Sequence, residues 1–161
     1  MPAPQGETER VFEYEVRIAA SPETVFEHFT DPVKMVRWMG TEAMLDPRPG
    51  GTCRINPAGH AVTSGRFVEV KPPRRIVFTW GWEIELLATP PQSTIVEVTL
   101  TPDGDGTVLR LAHRRLKPDA VGFHRAGWEH YLPRLALVAA GEDPGTDPWR
   151  DLSVVTKELG I

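Results

Sequence analysis

Residues 70–84 read VKPPRRIVFTWGWEI, and their order decides the class of fold. After the break at Pro72-Pro73, Ile76, Phe78, Trp80, Trp82 and Ile84 alternate with Val77, Thr79, Gly81 and Glu83. A period of two puts one set of side chains on one face of a strand, so this stretch is a predicted strand with an apolar face. The same pattern continues on both sides. Upstream, Phe67, Val68 and Val70 precede the prolines, and Pro49-Gly50-Gly51 and Asn56-Pro57-Ala58-Gly59 are turn sequences. Downstream, Val96, Val98 and Leu100 alternate after Pro90-Pro91, and Asp103-Gly104-Asp105-Gly106 is a hairpin signal. Leu109, Leu111 and His113 then share one face of a final strand. From Thr41 to His113 the chain reads as strands joined by short turns, which means an antiparallel sheet.

The flanking segments are built differently. Phe12, Tyr14, Val16 and Ile18 alternate with charged residues as a first strand. Ser21-Pro22-Glu23 is a helix start, with a capping hydroxyl, a proline in the first turn and a carboxylate facing the positive end of the helix dipole. Val25, Phe26 and Phe29 give that helix its apolar face. Asp31-Pro32 repeats the start, and Val33, Met35, Val36, Trp38 and Met39 follow up to a stop at Gly40. After Pro118 the period changes again: Trp128, Leu132, Leu135 and Val138 lie on one helical face, ended by Gly141 and Pro144. Pro133 removes one backbone hydrogen bond inside this helix and predicts a kink.

The expected fold is therefore α+β: a curved antiparallel sheet of about six or seven strands wrapped around a long C-terminal helix, with two short helices after the first strand. Residues 1–9 are expected to be a flexible N-terminus, 10–141 the domain, and 142–161 a C-terminal extension. In the extension, Asp147-Pro148 is another cap and first-turn pair, and Trp149, Leu152, Val155 and Leu159 form one apolar stripe. A helix of about twelve residues does not persist alone in water, so the stripe must dock. It docks either on its own domain or on a second copy, the latter making a homodimer.

Composition narrows the function classes. A chain of 161 residues can bury a core as one domain without disulfides or metal. Acidic residues outnumber basic ones, 22 to 18, which argues against nucleic acid or an anionic membrane as partner. No apolar run is long enough to span a bilayer. The polar, Pro-rich start Met1–Glu9 lacks the apolar core of an export signal, and the single Cys53 suits a reducing cytoplasm.

Few residues suggest chemistry. Cys53 sits in a predicted strand with no histidine near it in sequence, so it reads as a core residue. Ser64-Gly65 lacks the flanks of a nucleophile elbow. His124 and His130 are six apart and point to different helix faces, so neither a metal nor another cofactor is expected. Asp103 to Gly106 lacks the later oxygen ligands of a calcium loop. Arg110, Arg114, Arg115 and Lys117 are a solvated strand end or, alternatively, a clamp for an anionic head group, and Glu83 and Glu85 face away from the tryptophans. No catalytic residue is assigned. The aromatic residues carry more: they either fill a core or line a cavity for a small apolar molecule between sheet and helix. The expected lining is Trp38, Phe67, Phe78, Trp80, Trp82, Leu109, Leu111, His113, Trp128, Leu132 and Leu135, with His113 as the one polar contact.

Three stretches resemble a known family. They are Ala20-Ser21-Pro22-Glu23-Thr24-Val25-Phe26, the segment Val70 to Trp80, and His124-Arg125-Ala126-Gly127-Trp128 followed by Leu132 and Leu135. Over residues 10–140 the chain resembles the START-like (SRPBCC) superfamily, in the branch related to the activator of the 90-kDa heat-shock protein ATPase. The resemblance implies the helix-grip fold and a hydrophobic cavity between the sheet and the C-terminal helix. It implies three functions to weigh: a binder of a small apolar molecule in a stress-related role, a co-chaperone partner of a heat-shock protein ATPase, and a polyketide cyclase or hydratase. The separate N-terminal module of eukaryotic activators has no counterpart here, which counts against the co-chaperone. No cyclase motif matches, which leaves His113 as the candidate acid or base for an enzyme.

Overall fold

The structure, a computed structural model, describes residues 9–161. The chain runs β1 (Arg10–Ile18), α1 (Pro22–Thr30), α2 (Pro32–Met35), β2 (Glu42–Leu45), β3 (Thr52–Asn56), β4 (Thr63–Lys71), β5 (Arg75–Trp80), β6 (Thr94–Asp103), β7 (Gly106–Leu116), α3 (Val121–Ala139) and α4 (Leu152–Leu159). The strands form one antiparallel sheet in the order β1-β7-β6-β5-β4-β3-β2. The fold is thus α+β with a seven-stranded open sheet and a long C-terminal helix, the helix-grip arrangement.

Local chemistry sets the boundaries. Ser21 accepts the Thr24 amide at 3.2 Å to start α1, and Asp31 accepts the Val33 amide at 2.9 Å to start α2. The β6–β7 hairpin closes with Asp103 opposite Gly106, and Gly104 takes φ 60°, which the tight two-residue turn demands. β1 pairs with β7, its partner from the far end of the sequence, with Val16 opposite Leu109 and Tyr14 opposite Leu111. The inward set Ile18, Ile76, Val96, Val98 and Leu109 is fully buried, as are Leu132 and Leu135 of α3 and Val25 of α1. Close packing of these side chains is what holds the helices to the sheet.

Three expectations change. β5 ends at Trp80 rather than running to Ile84, and Trp82 makes only an isolated bridge with Thr63. The cause is Gly81: a Cβ there would sit 1.7 Å from the Pro90 carbonyl oxygen, so the 90–91 turn presses against bare backbone. α2 is a single turn, and Trp38 and Met39 follow it in irregular chain. In the extension, Asp147 caps only a 3₁₀ turn over Pro148–Arg150. Asp151 accepts the Ser153 amide at 2.9 Å and caps α4, whose chain then leaves through Gly160. Among the described residues no helix is long and apolar enough to cross a membrane.

Candidate functional site

A partly open cavity of about 240 Å³ lies where β5 ends, beside the first half of α3. The sheet side contributes Trp80, Trp82, Ile84 and Leu87, and α3 contributes Phe123, His124, Gly127, Trp128 and Tyr131. Pro57, Ala58, His60 and Ala61 form another side with Met39. The last wall is the extension: Trp149, Leu152, Val155, Thr156, Leu159 and Ile161. Of the apolar stripe of the tail, Trp149 and Val155 are buried against this domain, whereas Leu152 stays largely exposed.

The tail is held by a compact set of contacts. The Trp149 ring stacks flat on His130, centroids 3.9 Å apart and 4° from parallel, and meets the Tyr131 ring edge-on. The indole N–H of Trp149 donates to Glu158, and His60 Nε2 donates to the Trp149 carbonyl at 3.1 Å. His130 Nε2 donates to Asp147 Oδ1 at 2.7 Å, and the Trp149 amide donates to the same oxygen at 2.9 Å. Burial works against the Asp147 charge, but these hydrogen bonds outweigh it and hold the carboxyl below its usual range. Arg134 reaches back from α3 to the carbonyls of Pro144 and Gly145.

Two histidines, His124 on the cavity wall and His113 behind it, are locked by tryptophans. Trp128 Nε1 donates to His113 Nδ1 at 3.0 Å, which leaves the proton on Nε2, 2.8 Å from Thr94 Oγ1. That hydroxyl in turn donates to the Trp80 carbonyl at 2.8 Å. His124 has the opposite tautomer: Nδ1–H donates to the Ala120 carbonyl at 2.8 Å, and Nε2 accepts from Trp82 Nε1 at 3.2 Å. The two imidazoles touch edge to face at 4.8 Å. Burial drives the pKa of His124 down to about 4 and that of His113 well below the ordinary value, so both are neutral at pH 7. Each nitrogen of the pair already has a partner, so His113 is a satisfied interior residue.

Of the residues expected to line the cavity, Trp80, Trp82 and Trp128 do so. Trp38 lies elsewhere in the core, donating its indole N–H to the His28 carbonyl at 2.9 Å and packing edge-on against Phe29. Phe67 and Phe78 pack on one another across β4 and β5, and Leu109, Leu111, Leu132 and Leu135 are closed interior. Their alternation is right, but the face they share is filled at that depth. His124, Phe123, Tyr131 and the tail residues were missed as lining. The signal available for them was the aromatic run on the start of α3 together with the tail stripe.

Other candidates are structural. Burial pushes the Cys53 thiol up to about 12. Arg110 and Arg114 pair with Glu15 and Glu97 on the outer face of the sheet. Glu83 and Glu85 are exposed, and Arg54 with the Ser64 hydroxyl holds the Glu83 carboxyl at about 2. Among the described residues no three His, Cys, Asp or Glu side chains are grouped to hold a metal ion.

Comparison with known proteins gives the family. The family described as "Activator of Hsp90 ATPase homolog 1-like protein" matches residues 19–140. The chain is similar to an AHSA1-like protein from Rhizobium etli, with 44% identity over 88% of this chain and 89% of that one and a TM-score of 0.70. It is also similar to CalU16 from Micromonospora echinospora, at 27% identity over 94% and 84% of the two chains and a TM-score of 0.69. DynU16, a protein of the dynemicin biosynthetic locus, shares the fold with a TM-score of 0.71 at 24% identity, over 85% of this chain and 50% of that one. No curated protein matches the chain. The matched segment ends just before the tail that walls the cavity, and on that match the chain belongs to the Activator of Hsp90 ATPase homolog 1-like family, with the fold of the START-like superfamily.

Proposed function

We propose that the protein binds a small apolar molecule in the cavity between the end of β5, α3 and the tail. The observation that carries this reading is the construction of the cavity. Its lining contains no Asp, Glu, Lys or Arg, and its fourth wall is built by a segment beyond the part that matches the family. A tail ordered by stacking, the His130–Asp147 hydrogen bond and four further hydrogen bonds, yet leaving a gap beneath it, suits a partly covered ligand site.

An enzymatic reading through His113 has less support, because both of its nitrogens and both of those of His124 are bonded inside the protein. A general acid or base needs a nitrogen within reach of its substrate. The co-chaperone reading rests on the family's name.

The test is to fill the gap. Gly127 lies on the cavity wall, and a Cβ built there meets nothing within 4 Å. The unmodified protein should show saturable quenching of tryptophan emission by small aromatic compounds, and Gly127→Leu should fold and abolish it. If no compound of such a panel changes either emission or melting temperature of the unmodified protein, the reading is wrong.

A further inference from the structure

We propose that α4 is a lid that lifts about Asp151 while Trp149 stays seated, and that the Glu158 carboxylate on the Trp149 indole is its clasp. That the lid governs entry of a small apolar molecule rests on the ligand reading above. That it moves separately from the rest of the tail rests on the contacts alone.

The tail divides at Asp151. Up to Trp149 it is tied to the domain by polar contacts. Arg134 of α3 donates to the Pro144 and Gly145 carbonyls, His130 to Asp147, and His60 to the Trp149 carbonyl. The Trp149 ring is buried and lies flat on His130. Beyond that point the pattern stops. Among the described residues, the hydrogen bonds of residues 151–161 all end within 147–161, on Pro148, on Trp149 or on α4 and its cap. His60, when protonated, adds an attraction to the Asp151 carboxylate, at the pivot itself. The apolar cover is thin as well. Val155 is buried, but Leu152 and Ile161 are 54% and 62% exposed, and the gap lies beneath them. An element with few buried apolar contacts and no hydrogen bond to its support opens at a low free-energy cost.

The pivot and the clasp are both single residues. Asp151 is extended, at φ −85° and ψ 113°, and alone separates the 3₁₀ turn from α4. Such element-terminal positions are where hinges absorb their rotation. Glu158 stands in the last turn of α4, where a carboxylate meets the negative end of the helix dipole. Its bond to the Trp149 indole reaches nine residues back and joins the far end of the lid to the seated anchor. Local rules make Glu158 a poor residue for its place, and only the closed position offsets that. A detached helix of eight residues does not persist in water, so lifting and loss of amide protection are one event.

Hydrogen exchange on the full chain, resolved by residue, tests the motion without any ligand. The amides of Val155 to Leu159 should exchange at least about tenfold faster than that of Trp149. Glu158→Ala should speed them a further threefold to tenfold, about the effect of one hydrogen bond, and leave the Trp149 amide unchanged. Glu158→Gln keeps an acceptor for the indole and should fall between. The sign separates a clasp from a plain surface helix. In the latter, removing a carboxylate from the C-terminal turn and introducing alanine would slow exchange. Glu158 is exposed, so both variants should fold. A common rate for α4 and Trp149 that rises for both together would overturn the lid, as would unchanged or slower exchange of α4 in Glu158→Ala.

Access is tested by stopped-flow mixing with the neutral probe N-phenyl-1-naphthylamine. Association and dissociation should both quicken in Glu158→Ala by about the factor seen in exchange, with Kd changing far less, because both scale with the open population. Faster exchange with unchanged association would mean entry elsewhere: the lid's role in access would be wrong and the site would stand. A probe that does not bind at all would remove the site and that role together, whatever the exchange shows.

Discussion

The two halves of α3 meet opposite surroundings. From Leu132 onward its inward side chains are closed into the interior, and Leu132 and Leu135 keep no exposure at all. Before that point, Phe123, His124, Gly127 and Trp128 border a gap. One helix on one curved sheet thus serves as core at one end and as cavity wall at the other. The difference follows from what lies opposite. The closed half is buried in the hydrophobic core, where Leu132 and Leu135 join the side chains packed beneath the helix. The open half faces the place where β5 stops at Gly81, so the wall there is assembled from a turn, a loop and the tail. Packed core and open gap are in this way separated along a single element.

The largest effect is expected at the boundary. Trp128 is buried, caps His113 and borders the gap, so Trp128→Ala should cost about 3–5 kcal/mol in urea unfolding, the range for removing a large core aromatic. A loss below about 1 kcal/mol would mean that the two halves are not joined through this residue.

Next in size is the tail. Deleting residues 147–161 removes buried Trp149 and Val155 and should cost about 3 kcal/mol from lost apolar burial. It should turn the cavity into an open groove while amide exchange of β6 and β7 stays slow. Because Trp149 and Val155 of the stripe are buried on their own domain, the mass by light scattering should fall only by that of the deleted segment. A halving of mass would show instead that the stripe also joins two copies.

A smaller effect comes from acid. His113 and His124 have folded pKa values below the ordinary value, so the unfolded chain binds their protons first as pH falls. Their contribution is fully present above the unfolded pKa near 6.5 and is lost on descent toward the folded one, about 4 for His124. Between pH 7 and pH 5 this amounts to about 2 kcal/mol for His124 alone. His28, also lowered by burial, adds in the same direction. Glu83 and Asp147 are held below their usual ranges, so their losses begin lower, near and under pH 4, and leave the upper window to the histidines. Unfolding free energies that do not change from pH 7 to pH 5 would show that the histidines are not buried neutral.

The smallest effect has the opposite sign. Gly127→Ala places a methyl in open space on a helix, so it should stabilise by about 0.5–1 kcal/mol. The same change at a closed interior position of α3 would crowd the packing. A destabilised Gly127→Ala would mean that the gap is narrower than the structure has it.

The strands, the capped helix starts and the β6–β7 hairpin were legible in the chain alone, because each rests on sequence neighbours: a period of two, a hydroxyl three residues before an amide, a glycine able to take positive φ. It also determined which face of each strand turns inward, since Phe78 and Trp80 on β5 and Leu109 and Leu111 on β7 are all buried. Tertiary structure alone decided how deep along that face each residue sits, and so that Trp80 borders the gap while Phe78 does not. It decided the docking of the tail stripe, and it paired Trp128 with His113 and Trp82 with His124, which are 15 and 42 residues apart. Alternation reports the side of a sheet on which a residue lies. Whether the space on that side is filled depends on the curvature of the sheet and on the element laid across it, and neither is a property of the local chain.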